Sequence, residues 1–319
     1  MLKSIFIALS KNPSLKKIIL EWKPARNASR RFIAGETLDD AVLAVKTLNE
    51  QGLNATIDQL GEYTIDLEGA QQSTGDVMQI IDKIVLHKLR ANISVKLSQI
   101  GLTLDRNLCK ENITKILDYA NTHGLFVRID MEGSDLTENT FSIYRELIQE
   151  GYTNVGIVLQ AYLYRTHKDT EELLSWNGKV RLCKGAYKEP AEIAFPKKAE
   201  VNKNFDRLVK RLLESAAKPG ASHVSLDGRF PPIPALATHD EKRIEYALRL
   251  ISQISIPFEA VEFQMLYGIR RDLQTKIAAK GYPVRVYVPF GTQWYPYFMR
   301  RLAERPANLW FFISSFFRK

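Results

Sequence analysis

Eight short runs of β-branched and other apolar residues recur along this chain, and that rhythm limits the folds open to it. The runs are Ala55–Asp58, Ile93–Leu97, Phe126–Asp130, Val155–Gln160, Val180–Lys184, Ala235–His239, Ala260–Gln264 and Val284–Val288. Between them, segments such as Asn107–Asn121 and Ile244–Ile254 repeat apolar residues at a period of roughly 3.6, as a helix with one buried face does. Mostly continuous apolar strands alternating with helices specify a parallel α/β sheet whose faces are covered. Eight such units fit a closed (β/α)8 (TIM) barrel, typically roughly 250 residues, better than an open sheet. The doubly wound alternative lacks a GxGxxG opening its first strand–helix unit. No Pro- or Gly-rich linker divides the 319 residues. One domain is therefore expected: an N-terminal helical arm over 1–35, the barrel over 36–309 and an aromatic, basic tail over 310–319.

Charge and composition narrow the partners. Forty-five Lys and Arg face 36 Asp and Glu, a formal charge of +9, which suits anionic ligands or an anionic surface. No basic cluster interleaved with aromatics marks a nucleic-acid module, so no nucleic acid is expected. The two cysteines, Cys109 and Cys183, have neither CxxC spacing nor a neighbouring His. That argues against a disulfide scaffold or a metal site and for a reducing, cytoplasmic setting. Apolar stretches are broken by charge before the roughly 20 residues that a bilayer requires. Met1 to Phe32 is basic with the single acid Glu21; it reads either as a transit peptide or, from the spacing of Leu15–Trp22, as a structural arm. Trp310–Phe317, closing on Arg318-Lys319, reads either as a packed tail or as a peripheral membrane or partner contact.

Reactive residues gather at the C-terminal ends of the strands: Lys96, Asp130, Gln160, Arg181, Lys184, Thr238, His239, Glu262 and Gln264. A polar side chain in an apolar strand must find a partner, and one or two could be satisfied core residues. This many at one end mark the face where barrels build active sites. After the eighth strand comes Arg300-Arg301-Leu302-Ala303-Glu304. On a helix Glu304 can engage either arginine, and adjacent guanidiniums can grip one carboxylate. A small carboxylate substrate follows.

Taken in order, one per strand, these motifs resemble the proline dehydrogenase family: Lys96 with its strand, Arg128-Ile129-Asp130-Met131-Glu132, Arg181-Leu182-Cys183-Lys184-Gly185-Ala186-Tyr187, Ala237-Thr238-His239, Glu262-Phe263-Gln264-Met265-Leu266-Tyr267-Gly268 and Arg300-Arg301-Leu302-Ala303-Glu304. The likeness runs from about Arg31 to Leu309 and is greatest to the monofunctional bacterial type. It implies a (β/α)8 flavoprotein with FAD that oxidises L-proline to Δ1-pyrroline-5-carboxylate, passes electrons to a membrane quinone, and hands its product to a separate pyrroline-5-carboxylate dehydrogenase. By the same resemblance Arg300 and Arg301 bind the substrate carboxylate and Glu304 steadies them. Lys96 faces that carboxylate, Asp130 pairs with Lys96, and Tyr287 lines the ring, where relatives acting on hydroxyproline carry a smaller residue. Met131, Gln160, Arg181, Lys184, Gly185, Ala186, Thr238 and His239 hold the flavin, with Arg181 on its N5 side, where a cation stabilises charge on reduction. Gly185 suits either close approach of the cofactor or a plain strand end. No histidine stands out as a base for the amine. The rival reading is a barrel lyase or aldolase with a Schiff base on Lys96 or Lys184.

Overall fold

Each expected strand forms. A computed structural model describes residues 23–61 and 63–304. The Leu15–Trp22 segment and the tail from Trp310 lie outside them, as does the side chain of Glu304. The strands are β1 (Asn54–Gln59), β2 (Ala91–Lys96), β3 (Val127–Asp130), β4 (Val155–Gln160), β5 (Lys179–Cys183), β6 (Ala235–Ala237), β7 (Glu262–Leu266) and β8 (Val284–Phe290). All are parallel in sequence order, and β8 returns to β1 from Asn54↔Arg285 to Gln59↔Phe290, closing the barrel. The two helices expected from periodicity span Arg106–Thr122 and Glu241–Gln253.

Boundaries shift where side chains decide them. The seventh run begins later than its apolar residues suggest, because Phe258–Ala260 forms a 3₁₀ turn before β7. β6 ends at Ala237, where Thr238 Oγ1 accepts the Asp240 amide at 3.1 Å and turns the chain. Helices after β1 and β2 start on acids: Asp66 accepts from the Gly69 amide at 2.8 Å and Asp105 from the Leu108 amide at 2.7 Å, satisfying N–H groups that a helix start leaves open.

Outward residues such as Ile57, Val95, Ile129, Ile157, Leu182, Phe263 and Val286 join the helices in one apolar core. The inside is different. Barrel interiors are ordinarily layers of branched apolar side chains, yet here Thr56, Asp58, Asn92, Ser94, Lys96, Arg128, Asp130, Arg181, Glu262, Gln264 and Arg285 are buried. Alternation along each strand therefore separates an apolar outer face from a polar lumen.

A second apolar cluster lies at the C-terminal face. Ala25 and Ala28 of the short helix Lys23–Ser29, with Phe32 and Ile33, pack on Trp294, Phe298 and Leu302 of the last helix, Trp294–Glu304. Trp294 and Phe298 meet edge-on at 5.8 Å, and Phe32 lies 6.2 Å from Phe298. Gly268, at φ +71°, lets the segment after the first helix pass: a Cβ there would stand 1.6 Å from the Arg31 carbonyl oxygen.

Candidate active site

The strand ends open into a cavity of about 1140 Å³. Its floor is one charged network. Asp130 Oδ1 accepts from Arg181 Nη1 at 2.8 Å and from Ser94 Oγ at 2.7 Å, and its Oδ2 accepts from the Tyr287 hydroxyl at 2.6 Å. Lys96 Nζ donates to Asp58 Oδ1 at 2.8 Å and lies 3.6 Å from Asp130 Oδ2. The pairing expected between Lys96 and Asp130 is thus present but is the longer of two. Asp58, at the end of β1, is the nearer carboxylate, and motif reading missed it. Its signal was an acid ending an apolar strand, Ala55-Thr56-Ile57-Asp58, beside the lysine that ends the next.

The two acids are tuned apart. Burial pushes Asp58 above the usual carboxylate value, with Lys96 opposing and Asp130 reinforcing the shift. Burial acts on Asp130 in the same sense, but Lys96 and Arg181, with bonds from Tyr287 and Ser94, outweigh it and hold this carboxyl below its usual value. Burial, then the charges of Asp130 and Asp58, raise the Tyr287 phenol well above its ordinary range, so it donates as a neutral hydroxyl.

The flavin-motif residues expected from the resemblance all line this cavity: Met131, Gln160, Arg181, Lys184, Gly185, Ala186, Thr238 and His239. Arg300 and Arg301 line it too, from the last helix, with Arg301 stacked 4.9 Å from the Tyr297 ring centre. Lys184 Nζ donates to Asn202 and Asp240 at 2.6 Å each. The Leu266 amide donates to His239 Nε2 at 2.9 Å, so that nitrogen carries no proton and Nδ1 holds it. Gly185 has φ +106°, and a Cβ there would lie 2.3 Å from the Tyr162 ring, which accounts for glycine at this turn without a ligand. Its loop is stapled by Glu189, a residue sequence reading passed over: its carboxylate accepts from the Ser134 amide at 2.9 Å and caps a helix whose Gly133 cannot. The Lys188-Glu189-Pro190 continuation of the flavin motif was the available signal.

Some donors and acceptors on the cavity wall are left over for a ligand. Gln160 Oε1, Arg181 Nη2 and Asp58 Oδ2 are buried and have no hydrogen-bond partner within the described chain. Buried polar atoms ordinarily have one. A bound group that both donates and accepts would supply it, and the space suffices for a dinucleotide with a small substrate.

Fold and cavity together define a (β/α)8 barrel with a polar pocket at its C-terminal strand ends. The family model for proline dehydrogenase matches residues 41–313. Proline dehydrogenase 1 of Bacillus subtilis (strain 168) is 41% identical over 319 residues, covering 100% of both chains. The proline dehydrogenase of Deinococcus radiodurans is 38% identical over 293 residues, 91% of this chain and 90% of that protein. Among solved structures, proline utilization A (PutA) from Bdellovibrio bacteriovorus inactivated by N-propargylglycine is similar at a TM-score of 0.78 and 26% identity, over 88% of this chain and 33% of that one. This chain therefore spans about a third of the PutA chain. It belongs to the proline dehydrogenase family, which is of the flavoprotein type.

Proposed function

We propose that this chain binds FAD in the cavity and oxidises L-proline to Δ1-pyrroline-5-carboxylate, the first step of proline breakdown. The observation that carries the reading is a pair of leftover buried atoms, Gln160 Oε1 and Arg181 Nη2, on residues that line the cavity together with the family's other flavin-motif residues. When bound, the flavin supplies the acceptor for the hydride that leaves proline C5 as the C=N bond forms. Met131, Gln160, Arg181, Lys184, Gly185, Ala186, Thr238 and His239 are the residues that would hold it.

The chain's own residues position the substrate. Arg300 and Arg301 offer guanidinium forks to the proline carboxylate, the family resemblance gives Glu304 the task of steadying them, and Lys96 adds a third positive charge. Asp58 and Asp130 hold Lys96 in place. Arg181, oriented by Asp130, brings positive charge to where negative charge develops, the arrangement that gives most electrostatic catalysis. Tyr287 borders the ring. The amine proton goes to water, because His239 Nε2 is engaged by the Leu266 amide.

Electrons leave to a quinone, and the basic surface and aromatic tail would bring the protein against a membrane. No helix among the described residues is long and apolar enough to cross one. A separate pyrroline-5-carboxylate dehydrogenase would take the product. The lyase reading fares worse, since both candidate Schiff-base lysines are engaged by carboxylates: Lys96 by Asp58 and Lys184 by Asp240.

Flavin analysis of the purified protein, with trapping of the product, tests the proposal. FAD released in a one-to-one ratio and a proline-dependent pyrroline adduct support it. Colourless protein that acts on a carbonyl substrate overturns it.

A further inference from the structure

Glu262 and Gln264 belong to a motif whose side chains neither the substrate nor the cofactor assignment uses. Glu262 is fully buried and paired with Arg285, Nε to Oε1 at 2.8 Å and Nη2 to Oε2 at 3.0 Å. Arg285 is itself anchored to the Ala55 and Gly228 carbonyl oxygens, both at 2.7 Å. Gln264 bridges this pair to the cavity. Its Nε2 donates to Glu262 Oε1 at 2.6 Å, and its Oε1 accepts from Arg181 Nε at 2.6 Å. Arg181 then reaches Asp130.

The direction of the bridge is forced. A carboxylate only accepts and a guanidinium only donates. Gln264 must therefore turn its NH2 toward Glu262 and its carbonyl toward Arg181. Reversing the amide would set donor against donor and acceptor against acceptor in a dry interior, where unmade bonds are costly. β6 makes the span feasible: between β5 and β7 it sets Ala235 beside Arg181 and Ala237 beside Gln264 in the register. Those small side chains let residues two strands apart touch.

We infer that Glu262, anchored by Arg285, is a positioning residue that fixes the polarity of Gln264 and through it the aim of Arg181 at the cavity. The readout rests on the flavin reading above, because Arg181 is felt there by the cofactor.

Two variants test it. Glu262→Met with Arg285→Met removes both charges together, so no lone ion is buried, a replacement that other proteins tolerate. Gln264→Met leaves the Glu262–Arg285 pair in place and removes only the bridge. In either holoenzyme the flavin midpoint potential should become more negative. Reduction by saturating proline should slow by about ten- to a hundredfold, as for a misaimed catalytic group, while KM for proline stays unchanged. The decisive arm repeats each variant on Arg181→Met, where the shift in potential should vanish. A wild-type potential in the variants, or an equal shift in the Arg181→Met background, overturns the inference. The Arg181 Nε–H proton resonance reports the bridge without any flavin: loss of the 2.6 Å bond should move it upfield. An unmoved resonance contradicts the positioning role, whereas a wild-type flavin that proline does not reduce contradicts the flavin reading instead.

Discussion

At the cavity floor, Asp58, Lys96, Asp130, Arg181 and Tyr287 come from β1, β2, β3, β5 and β8 and hold one another by directed polar bonds, whereas Arg300 and Arg301 come from a helix seated by packing. That helix rests on Ala25, Ala28, Phe32 and Ile33 through Trp294, Phe298 and Leu302. Directed bonds in a buried network fix angles as well as distances. Apolar contact is non-directional and fixes the helix mainly by shape, with Trp294 Nε1 also donating to Glu36 Oε1 at 3.3 Å. On the proposed function the difference assigns work to each region: the floor would aim charge at the reacting atoms, and the helix would grip the carboxylate. Damage to the floor should appear in stability and rate, and damage to the helix in substrate affinity.

The largest effect should follow Asp130→Ala. It leaves Lys96 and Arg181 short of a buried carboxylate, and breaking such a pair costs about 3–5 kcal/mol. Denaturant titration should show that loss together with loss of proline turnover; unchanged stability would mean that the floor is not a coupled network. Arg301→Met comes next. Removing a charge-assisted fork from a site this buried should raise KM for proline by an amount equivalent to about 2–4 kcal/mol, with flavin content retained. A variant with wild-type kcat/KM would strip the helix of its role.

Tyr287 belongs to the floor, its hydroxyl on Asp130 and its ring 5.4 Å from the Arg181 guanidinium carbon. Admitting 4-hydroxyproline beside it means a clash or an unpaired hydroxyl, roughly 1–3 kcal/mol. Tyr287→Ser should narrow the preference for proline, chiefly by lowering proline kcat/KM, and an unchanged ratio in parallel kinetics would remove the tyrosine from specificity. The smallest effect is in pH. Asp130 titrates below the ordinary 3.8, so its contribution is complete above 3.8 and is lost as pH falls through its lower folded value. Melting temperature should drop over that window in the wild type and less in Asp130→Asn. An identical drop in both would assign acid sensitivity to other groups.

The outer face of the barrel was legible in the sequence because apolar runs report burial directly. Lys96, Asp130 and Arg181 were legible because they end such runs inside recognisable motifs. Asp58 was not, since one acid closing a four-residue run looks like any strand end until β2 is laid beside β1 and Lys96 reaches across. The Glu262–Gln264–Arg181 bridge was hidden for the same reason: it crosses β6, and only strand register shows that two alanines clear its path. The two readings of Gly185 also needed coordinates, because the Tyr162 ring that excludes a side chain lies 23 residues earlier in the chain.

Anaerobic titration of the purified holoenzyme with L-proline, with Asp130→Asn and Arg301→Met measured alongside, separates the floor from the helix. Proline should bleach the oxidised flavin band of the wild type. Asp130→Asn should bleach slowly even at saturation, and Arg301→Met should bleach at a near-normal limiting rate reached only at higher proline. A flavin that proline leaves oxidised, or two variants that fail in the same parameter, would contradict the division of work between floor and helix.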